Sequence, residues 1–179
     1  GEGAVLILDE WDCMNPSVGM VLQSVLEGSP LTVTETGEVI RPHADFRLFA
    51  TSNTTGQGDE TGLYNGTTPQ NFASLDRFTM VAEVGYPDAE TEKEIIRKKT
   101  GCENGVVLER LTRCAAMVRE GFLSEQTRAT MSTRTVVNVA SKLLTFGDVL
   151  FAYSIGYLNK LAPEDRKFCR EAVQRVWGV

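Results

Sequence analysis

The chain has 179 residues, of which 42% are hydrophobic and 23% are charged, a composition that fits a folded globular protein and excludes a disordered one. Its net charge of -6 disfavours a broad nucleic-acid surface, and no apolar stretch is long enough to cross a bilayer, so we expect neither nucleic acid nor membrane as a partner. Four cysteines without a CxxC pair and a single histidine argue against a zinc site, and we expect reduced thiols and a cytoplasmic location.

The first feature of the chain is an apolar run, residues 4–8, that leads directly into two carboxylates, Asp9 and Glu10. Such a run is typical of a strand buried on both faces of a parallel α/β sheet, in which ligands bind at the carboxyl ends of the strands. The pattern fits a Walker B strand, where Asp9 would hold the magnesium shell and Glu10 would polarise the attacking water. An ordinary strand that ends in solvated acids has the same pattern.

A helix and a hairpin are predicted next. Asn15 suits a helix N-cap and Pro16 suits the first helical position, and Gly28 can end the helix. Alternating residues on both sides of a Glu-Thr-Gly turn predict a β-hairpin over residues 31–41.

A second buried strand is predicted over residues 46–52, and it ends at Asn53. A long polar loop over residues 54–71 follows, and loops of that length are often functional. Residues 80–84 then have the pattern of a third strand, ended by Gly85 and Pro87. We therefore expect residues 1–87 to form one α/β unit.

The remaining residues, 88–179, have a helical pattern throughout. Polar residues that suit helix N-caps precede apolar stripes at helical spacing. The predicted helix starts are Asp88, Ser132, Asp148 and a site near Pro163. The predicted apolar stripes consist of Val107, Leu111, Cys114, Ala115 and Val118, then Val136, Val139 and Leu143, then Phe151, Ile155 and Leu158.

The order of the polar landmarks resembles that of the AAA+ ATPases. The acids at 9 and 10 follow one strand, Asn53 follows another, Arg77 lies in Leu-Asp-Arg-Phe, and Arg134 begins a helix in the helical part. The hairpin before the second strand resembles the presensor hairpin of the branch that contains MoxR proteins and chelatase motors. The resemblance implies a partial AAA+ P-loop-type parallel sheet with flanking helices, followed by an all-helical lid domain.

Longer segments are similar to the CobS family, the AAA+ subunits of aerobic cobaltochelatases. They are residues 6–12, 39–43, 46–53, 58–64, 146–153, 158–160 and 173–178. The resemblance implies a homo-oligomeric ring that uses ATP and Mg²⁺ and works with CobT-like and CobN-like subunits to insert cobalt into hydrogenobyrinic acid a,c-diamide. A MoxR-like activator of another metalloenzyme and a non-catalytic AAA+ interaction module are the alternatives.

The resemblance also implies a role for each landmark. Glu10 would be catalytic and Asp9 would hold the metal. Asn53 matches sensor 1, Arg77 the arginine finger donated to the next subunit, and Arg134 the sensor 2 residue that reads the γ-phosphate. The alternatives are a turn residue for Asn53, an intramolecular ion pair for Arg77 and a solvated side chain for Arg134.

The chain contains no GxxxxGK(S/T) phosphate loop. In AAA+ proteins that loop precedes the Walker B strand, so we expect that an amino-terminal part is missing and that residues 1–179 alone do not hydrolyse ATP. Trp11 and Asp12 are expected to help shape the nucleotide site or the subunit contact.

Overall fold

The computed structural model describes residues 4–56, 58 and 66–179. Most of the segment 58–64, one of those similar to the CobS family, therefore lies outside the described residues. The chain divides into two compact units, Gly1–Glu83 and Val84–Val179. The division lies a few residues before the expected boundary at 87/88.

The described residues of the first unit form short strands and helices. In chain order it contains β1 (Val5–Leu8), a 3-10 turn (Trp11–Cys13), α1 (Pro16–Leu26), β2 (Leu31–Thr32), β3 (Val39–Ile40), β4 (Arg47–Ala50) and α2 (Phe72–Leu75). β1 and β4 form a parallel pair in which Leu8 lies opposite Ala50. The predicted parallel sheet is thus present, and Asn15 caps α1 as predicted by accepting a hydrogen bond from the Ser17 N–H.

The predicted hairpin is formed by β2 and β3. Leu31 lies opposite Ile40 and Thr32 lies opposite Val39 in antiparallel register. The chain turns at Gly37, whose φ of 71° is accessible to glycine at no Cβ penalty, and whose N–H donates to the Val33 carbonyl over 2.8 Å.

The expectation that β1 and β4 are buried on both faces is wrong for the described structure. Val5, Ile7 and Phe49 are 61%, 62% and 54% exposed. Ile7 pairs with Phe49, so these residues share one face of the sheet. A strand is buried on both faces only where other elements cover both, and none of the described elements covers this one.

The strand predicted over residues 80–84 is also wrong. These residues form no strand, and Met80, Val81 and Val84 are 87–90% exposed. A strand needs a neighbour to accept and donate its backbone hydrogen bonds. Within the described part of the chain, neither β1 nor β4 pairs with this segment.

The second unit is helical. It contains α3 (Ala89–Thr100), α4 (Gly105–Leu123), α5 (Thr133–Phe146), α6 (Val149–Gly156), a 3-10 turn (Leu158–Lys160) and α7 (Pro163–Trp177). The predicted caps are confirmed, since Asp88, Ser132 and Asp148 each accept a hydrogen bond from a backbone N–H three residues later. Among the helices described, none has both the length and the apolar character of a membrane span.

The stripes predicted on α4 and α5 lie in the core of this unit. The buried members are Leu111, Cys114, Ala115, Val118, Val136, Val139 and Leu143, and Val107 packs against them from a partly buried position. The stripe predicted on α6 is wrong in part, because Phe151 and Ile155 are 46% and 36% exposed. Small residues face α5 instead, since a Cβ on Gly156 would lie 3.0 Å from Val139.

Candidate functional site

The polar residues that follow β1 and β4 start from one edge of the sheet, because the two strands are parallel and in register. Backbone hydrogen bonds between the two segments continue beyond the ends of β1 and β4. The Thr51 N–H donates to the Leu8 carbonyl over 2.9 Å, and the Trp11 N–H donates to the Thr51 carbonyl over 2.8 Å. Backbone hydrogen bonds therefore bring the acid pair close to the end of the second strand.

Thr51 orders the turn that carries the two acids. Its hydroxyl donates to Asp9 Oδ1 and accepts a hydrogen bond from the Glu10 N–H over 3.0 Å. Glu10 has φ 54° and ψ 49°, a left-handed conformation that is uncommon outside glycine. Such conformations cluster at functional sites, where surrounding contacts enforce them. Both acidic side chains are exposed and so remain accessible to a ligand.

The side chain of Asp12 fixes the backbone at Asn53. It is fully buried, and its Oδ2 accepts hydrogen bonds from the Asn53 N–H over 3.0 Å and from the Thr54 N–H and hydroxyl, both over 2.9 Å. Hydrogen bonds to an ionised acceptor are about twice as strong as neutral ones. The sequence shows that a third acid, Asp12, follows the acid pair by two residues. It does not show which residue this acid contacts, because its partner Asn53 is 41 residues away.

The turn after β1 is packed tightly and still holds two unpaired polar atoms. Trp11 is 1% exposed and meets Phe78 edge-on, with 5.6 Å between ring centroids. Gln70 Nε2 donates to the Met14 carbonyl over 3.0 Å. Trp11 Nε1 and Asp12 Oδ1 are buried with no hydrogen-bond partner among the described residues. Each such atom costs about 1–3 kcal/mol, and unpaired buried groups of this kind occur at catalytic sites.

Arg77 lies just after α2 and is paired within its own unit. Its Nε is 2.6 Å from Glu27 Oε1, and its Nη1 donates to the Ala73 carbonyl. The intramolecular ion pair considered from the sequence is therefore present, with Glu27 as the acid. The Glu27 side chain is 52% exposed, and an ion pair this accessible contributes about 0–1 kcal/mol. Another anion can readily replace it.

Arg134 is the second residue of α5 and belongs to the second unit. It is exposed, and no described residue accepts a hydrogen bond from its guanidinium or pairs with it. A cation in the first turn of a helix is disfavoured by the helix dipole, so this position favours a nearby anion.

Cys13 is the exposed cysteine of the four in the chain. Desolvation of the thiolate raises the pKa of Cys13, and the Asp12 and Glu10 carboxylates raise it further. The thiol therefore stays protonated at neutral pH and is a poor nucleophile. The Asp12 and Glu10 carboxylates, which add to this shift, would also attract a cation at this edge.

The donor set at the end of β1 fits magnesium held mainly by phosphates. Among the described residues, no group of three or more His, Cys, Asp or Glu side chains could hold a metal. Magnesium commonly takes one or two carboxylates and completes its shell with substrate phosphates and water. The exposed Asp9 carboxylate could supply one ligand of that kind.

Comparison with known families separates the chain into two matched regions. Residues 1–68 match the model of the AAA domain (dynein-related subfamily), and residues 92–177 match that of the CbbQ/NirQ/NorQ C-terminal domain. The predicted order, an AAA core followed by a helical region, agrees with these matches.

Two curated proteins are similar over nearly the whole chain. The aerobic cobaltochelatase subunit CobS of Sinorhizobium sp. is 38% identical over 97% of this chain and 54% of its own length. An uncharacterized protein of Staphylococcus haemolyticus is 28% identical over 91% of this chain and 59% of its own length. The chain thus spans little more than half the length of the curated relatives it matches.

Proposed function

We propose that this chain supplies the hydrolytic and sensing residues of an ATP-driven motor. The match of residues 1–68 to an AAA domain and of residues 92–177 to the CbbQ/NirQ/NorQ C-terminal domain supports this proposal. One observation carries the proposal. The acids at 9 and 10 and the residue at 53 leave the same edge of a parallel sheet, and Asp12 holds the two strand ends together. Ligands bind at such edges in α/β sheets.

The residues divide the work of phosphoryl transfer to water. Bound ATP would supply the phosphoryl group, and Mg²⁺ would neutralise part of the charge that develops on it. Asp9 would hold the metal shell through its exposed carboxylate. Glu10 orients the attacking water and accepts its proton. The Asn53 amide donates a hydrogen bond to the γ-phosphate or orients the water, and its backbone is kept in place by Asp12.

The two arginines would act on the same phosphate from other parts of an assembled ring. Arg77 leaves Glu27 and extends its guanidinium to the nucleotide of a neighbouring subunit, where a planar cation stabilises charge on the transferring group. Arg134 senses the γ-phosphate from the helical domain, which acts as a lid. The exposure of the Glu27 pair and the free guanidinium of Arg134 among the described residues support these roles.

We further propose that the motor serves a chelatase in the cytoplasm. The similarity to a CobS subunit over 97% of the chain supports this assignment. Under this proposal, the motor forms a homo-oligomeric ring and drives CobT-like and CobN-like partners that insert cobalt into hydrogenobyrinic acid a,c-diamide. Cobalt is substrate on the partner, and this chain supplies mechanical work.

The second candidate is a MoxR-like activator of another metalloenzyme. Residues 92–177 match a domain that is named for CbbQ, NirQ and NorQ and not for CobS, which favours a role outside cobalt chelation. Purification with associated chains separates the two. Recovery of CobT-like and CobN-like chains supports the chelatase, and recovery of an unrelated metalloenzyme supports the activator.

The ATPase proposal is tested in the complete ATPase, meaning this chain together with the segment that supplies a phosphate loop. Phosphate release is compared for wild type, Glu10→Gln and the control Glu38→Gln, which changes an exposed hairpin acid. We expect Glu10→Gln to lose about 100-fold or more in rate while ATP binding is kept, and Glu38→Gln to match wild type. A wild-type protein as inactive as Glu10→Gln supports the non-catalytic interaction module instead.

A further inference from the structure

A buried ion pair in the second unit engages all three nitrogens of one arginine and three of its five N–H donors. Arg119 on α4 donates to both oxygens of Glu92 on α3, from Nη1 over 3.0 Å and from Nη2 over 2.7 Å. Its Nε donates to the Met131 carbonyl over 2.8 Å. The side chains are only 12% and 2% exposed. This forked geometry is specific to arginine and cannot be reproduced by lysine.

Three further contacts connect this ion pair, directly or through Tyr86, to the ends of neighbouring segments. The Arg119 guanidinium lies 3.9 Å from the centroid of the Tyr86 ring, and the Tyr86 hydroxyl lies 3.0 Å from Thr130 Oγ1. The Thr133 hydroxyl donates to Glu92 Oε1 over 2.7 Å. Tyr86 belongs to the segment by which the chain enters the second unit, and Thr133 is the first residue of α5.

The energetics favour a geometric role for this pair over a purely stabilising one. Removing two charges from water costs several kcal/mol per ion, and apolar residues of similar volume are often as stabilising as a buried pair. A buried pair with several directional hydrogen bonds does favour one arrangement of the groups around it. Here those groups are Tyr86, the Met131 carbonyl and the Thr133 hydroxyl, and Arg134 follows Thr133 directly in the chain.

We infer that Arg119 is a positioning residue for Arg134. It holds the segment from 130 to 133 and the Tyr86 ring as one piece, so a displacement of the entry segment is passed to the first turn of α5 and to the Arg134 side chain. The inference rests on the proposed role of Arg134 in reading the γ-phosphate. The inference adds that Arg119, Tyr86 and residues 130–133 would transmit the state of the γ-phosphate from Arg134 to the rest of the protein.

The test is a double-mutant cycle on ATP hydrolysis in the complete ATPase. Arg119→Lys keeps the charge but loses the fork, and we expect it to lower kcat about tenfold, because misplacement of a positioned group by about 1 Å can cost that much or more. We expect Arg134→Ala to lower kcat at least as much. The double variant should then be no slower than Arg134→Ala alone. The control is Arg97→Lys on α3, whose partners Glu94 and Glu103 are more exposed, and which should stay within about twofold of wild type.

Two variants of Tyr86 test the same inference without changing the buried Arg119–Glu92 pair. Tyr86 is 50% exposed, so its replacement leaves the core intact. Tyr86→Leu removes the ring face and should reproduce the loss seen in Arg119→Lys, again with no further loss in the Arg134→Ala background. Tyr86→Phe keeps the ring and loses only the hydroxyl contact with Thr130, and should lose less.

The outcomes separate the inference from the function on which it rests. Losses that multiply in the double variants would show that Arg119 and Tyr86 act independently of Arg134, and would overturn the inference. Unchanged kcat in both Arg119→Lys and Tyr86→Leu, with Arg134→Ala impaired, would overturn it while leaving the proposed function intact. Unchanged kcat in Arg134→Ala would overturn the role proposed for Arg134, and the inference with it.

Discussion

The backbone N–H of Asn53 donates a hydrogen bond to the buried carboxylate of Asp12 over 3.0 Å. Asp12 follows the acid pair at the end of β1, and Asn53 follows the end of β4. The bond therefore joins the two places from which the proposed catalytic side chains extend. As a consequence, the position of Asn53 relative to Asp9 and Glu10 depends on a side chain that is fully buried.

Removal of the Asp12 carboxylate should destabilise the first unit. Asp12→Ala removes the shared acceptor of the Asn53 N–H, the Thr54 N–H and the Thr54 hydroxyl, and leaves the Thr54 N–H only its longer contact with Ser52 Oγ at 3.3 Å. We expect a loss of about 2–5 kcal/mol in the free energy of unfolding. Urea unfolding followed by Trp11 fluorescence, in a Trp177→Phe background, reports on this unit alone.

The matched control for that experiment is Asp45→Ala, which removes an acid whose side chain is 77% exposed. It should change stability by no more than about 0.5 kcal/mol. Equal stability of the two variants would contradict the assigned role of Asp12.

Arg77 and Glu27 should differ in their effect on hydrolysis although they form one ion pair. Arg77→Ala in the complete ATPase should largely abolish hydrolysis and keep nucleotide binding, since the guanidinium is needed on the neighbouring subunit's phosphate. Glu27→Gln should leave hydrolysis near wild type, because it only releases Arg77 from a half-exposed partner. Equal losses in both variants would mean that the pair is structural.

Action between subunits is checked by mixing. Rings that combine Arg77→Ala and Asp9→Ala protomers should recover part of the activity, because some interfaces then carry an intact finger and an intact metal ligand. Mixed assembly is verified first by pull-down of differently tagged protomers. No recovery in verified mixed rings would count against a finger supplied in trans.

Cys13 should be alkylated slowly for an exposed thiol. Its pKa is raised, so the reactive thiolate is scarcer at pH 8 than in a free cysteine. Glu10→Gln removes one of the charges that raise the pKa and should speed alkylation by iodoacetamide, by less than about tenfold. The control Glu35→Gln, in the hairpin turn, should not.

Mass spectrometry identifies the modified residue. Cys102, Cys114 and Cys169 should stay unmodified because they are buried, and desolvation raises the pKa of Cys114 to about 11. A rate for Cys13 equal to that of a free thiol, unchanged in Glu10→Gln, would contradict the negative field assigned to this edge.

Gly121 should be intolerant of any side chain. A Cβ there would collide with the Phe168 ring on α7, so Gly121→Ala should destabilise the second unit by about 1–3 kcal/mol. Gly105→Ala on the same helix is the control, since a methyl group at that position would have no neighbouring atom within 4 Å. It should be neutral or stabilising by up to about 1 kcal/mol. Thermal unfolding followed by circular dichroism at 222 nm measures both.

The features predicted correctly from the sequence depend on local chemistry or on the direction of strands. Helix caps such as Asp88 and Ser132 act on N–H groups three residues away. The shared edge of Asp9 and Asn53 follows from two parallel strands. The exposure of Val5 and of residues 80–84 could not be predicted in this way, because burial depends on which elements cover a strand.

Side-chain contacts between residues far apart in the chain could also not be predicted from the sequence. The Asp12–Asn53 bond and the Arg119–Glu92 pair join residues 41 and 27 apart, on different elements. Periodicity indicates which face of a helix is apolar, but it carries no information on which polar groups meet inside the core. The same holds for Arg77, whose partner Glu27 lies 50 residues away.

The most direct test of the proposed catalytic edge is a structure of the complete ATPase with Mg²⁺ and a non-hydrolysable ATP analogue, in which the distances from the γ-phosphate to Asn53 Nδ2 and from the attacking water to the Glu10 carboxylate are measured. We predict hydrogen-bond distances of about 2.6–3.2 Å for both and the metal shell against Asp9. A γ-phosphate bound away from this edge, with Glu10 and Asn53 contacting neither it nor its water, would contradict the proposed site.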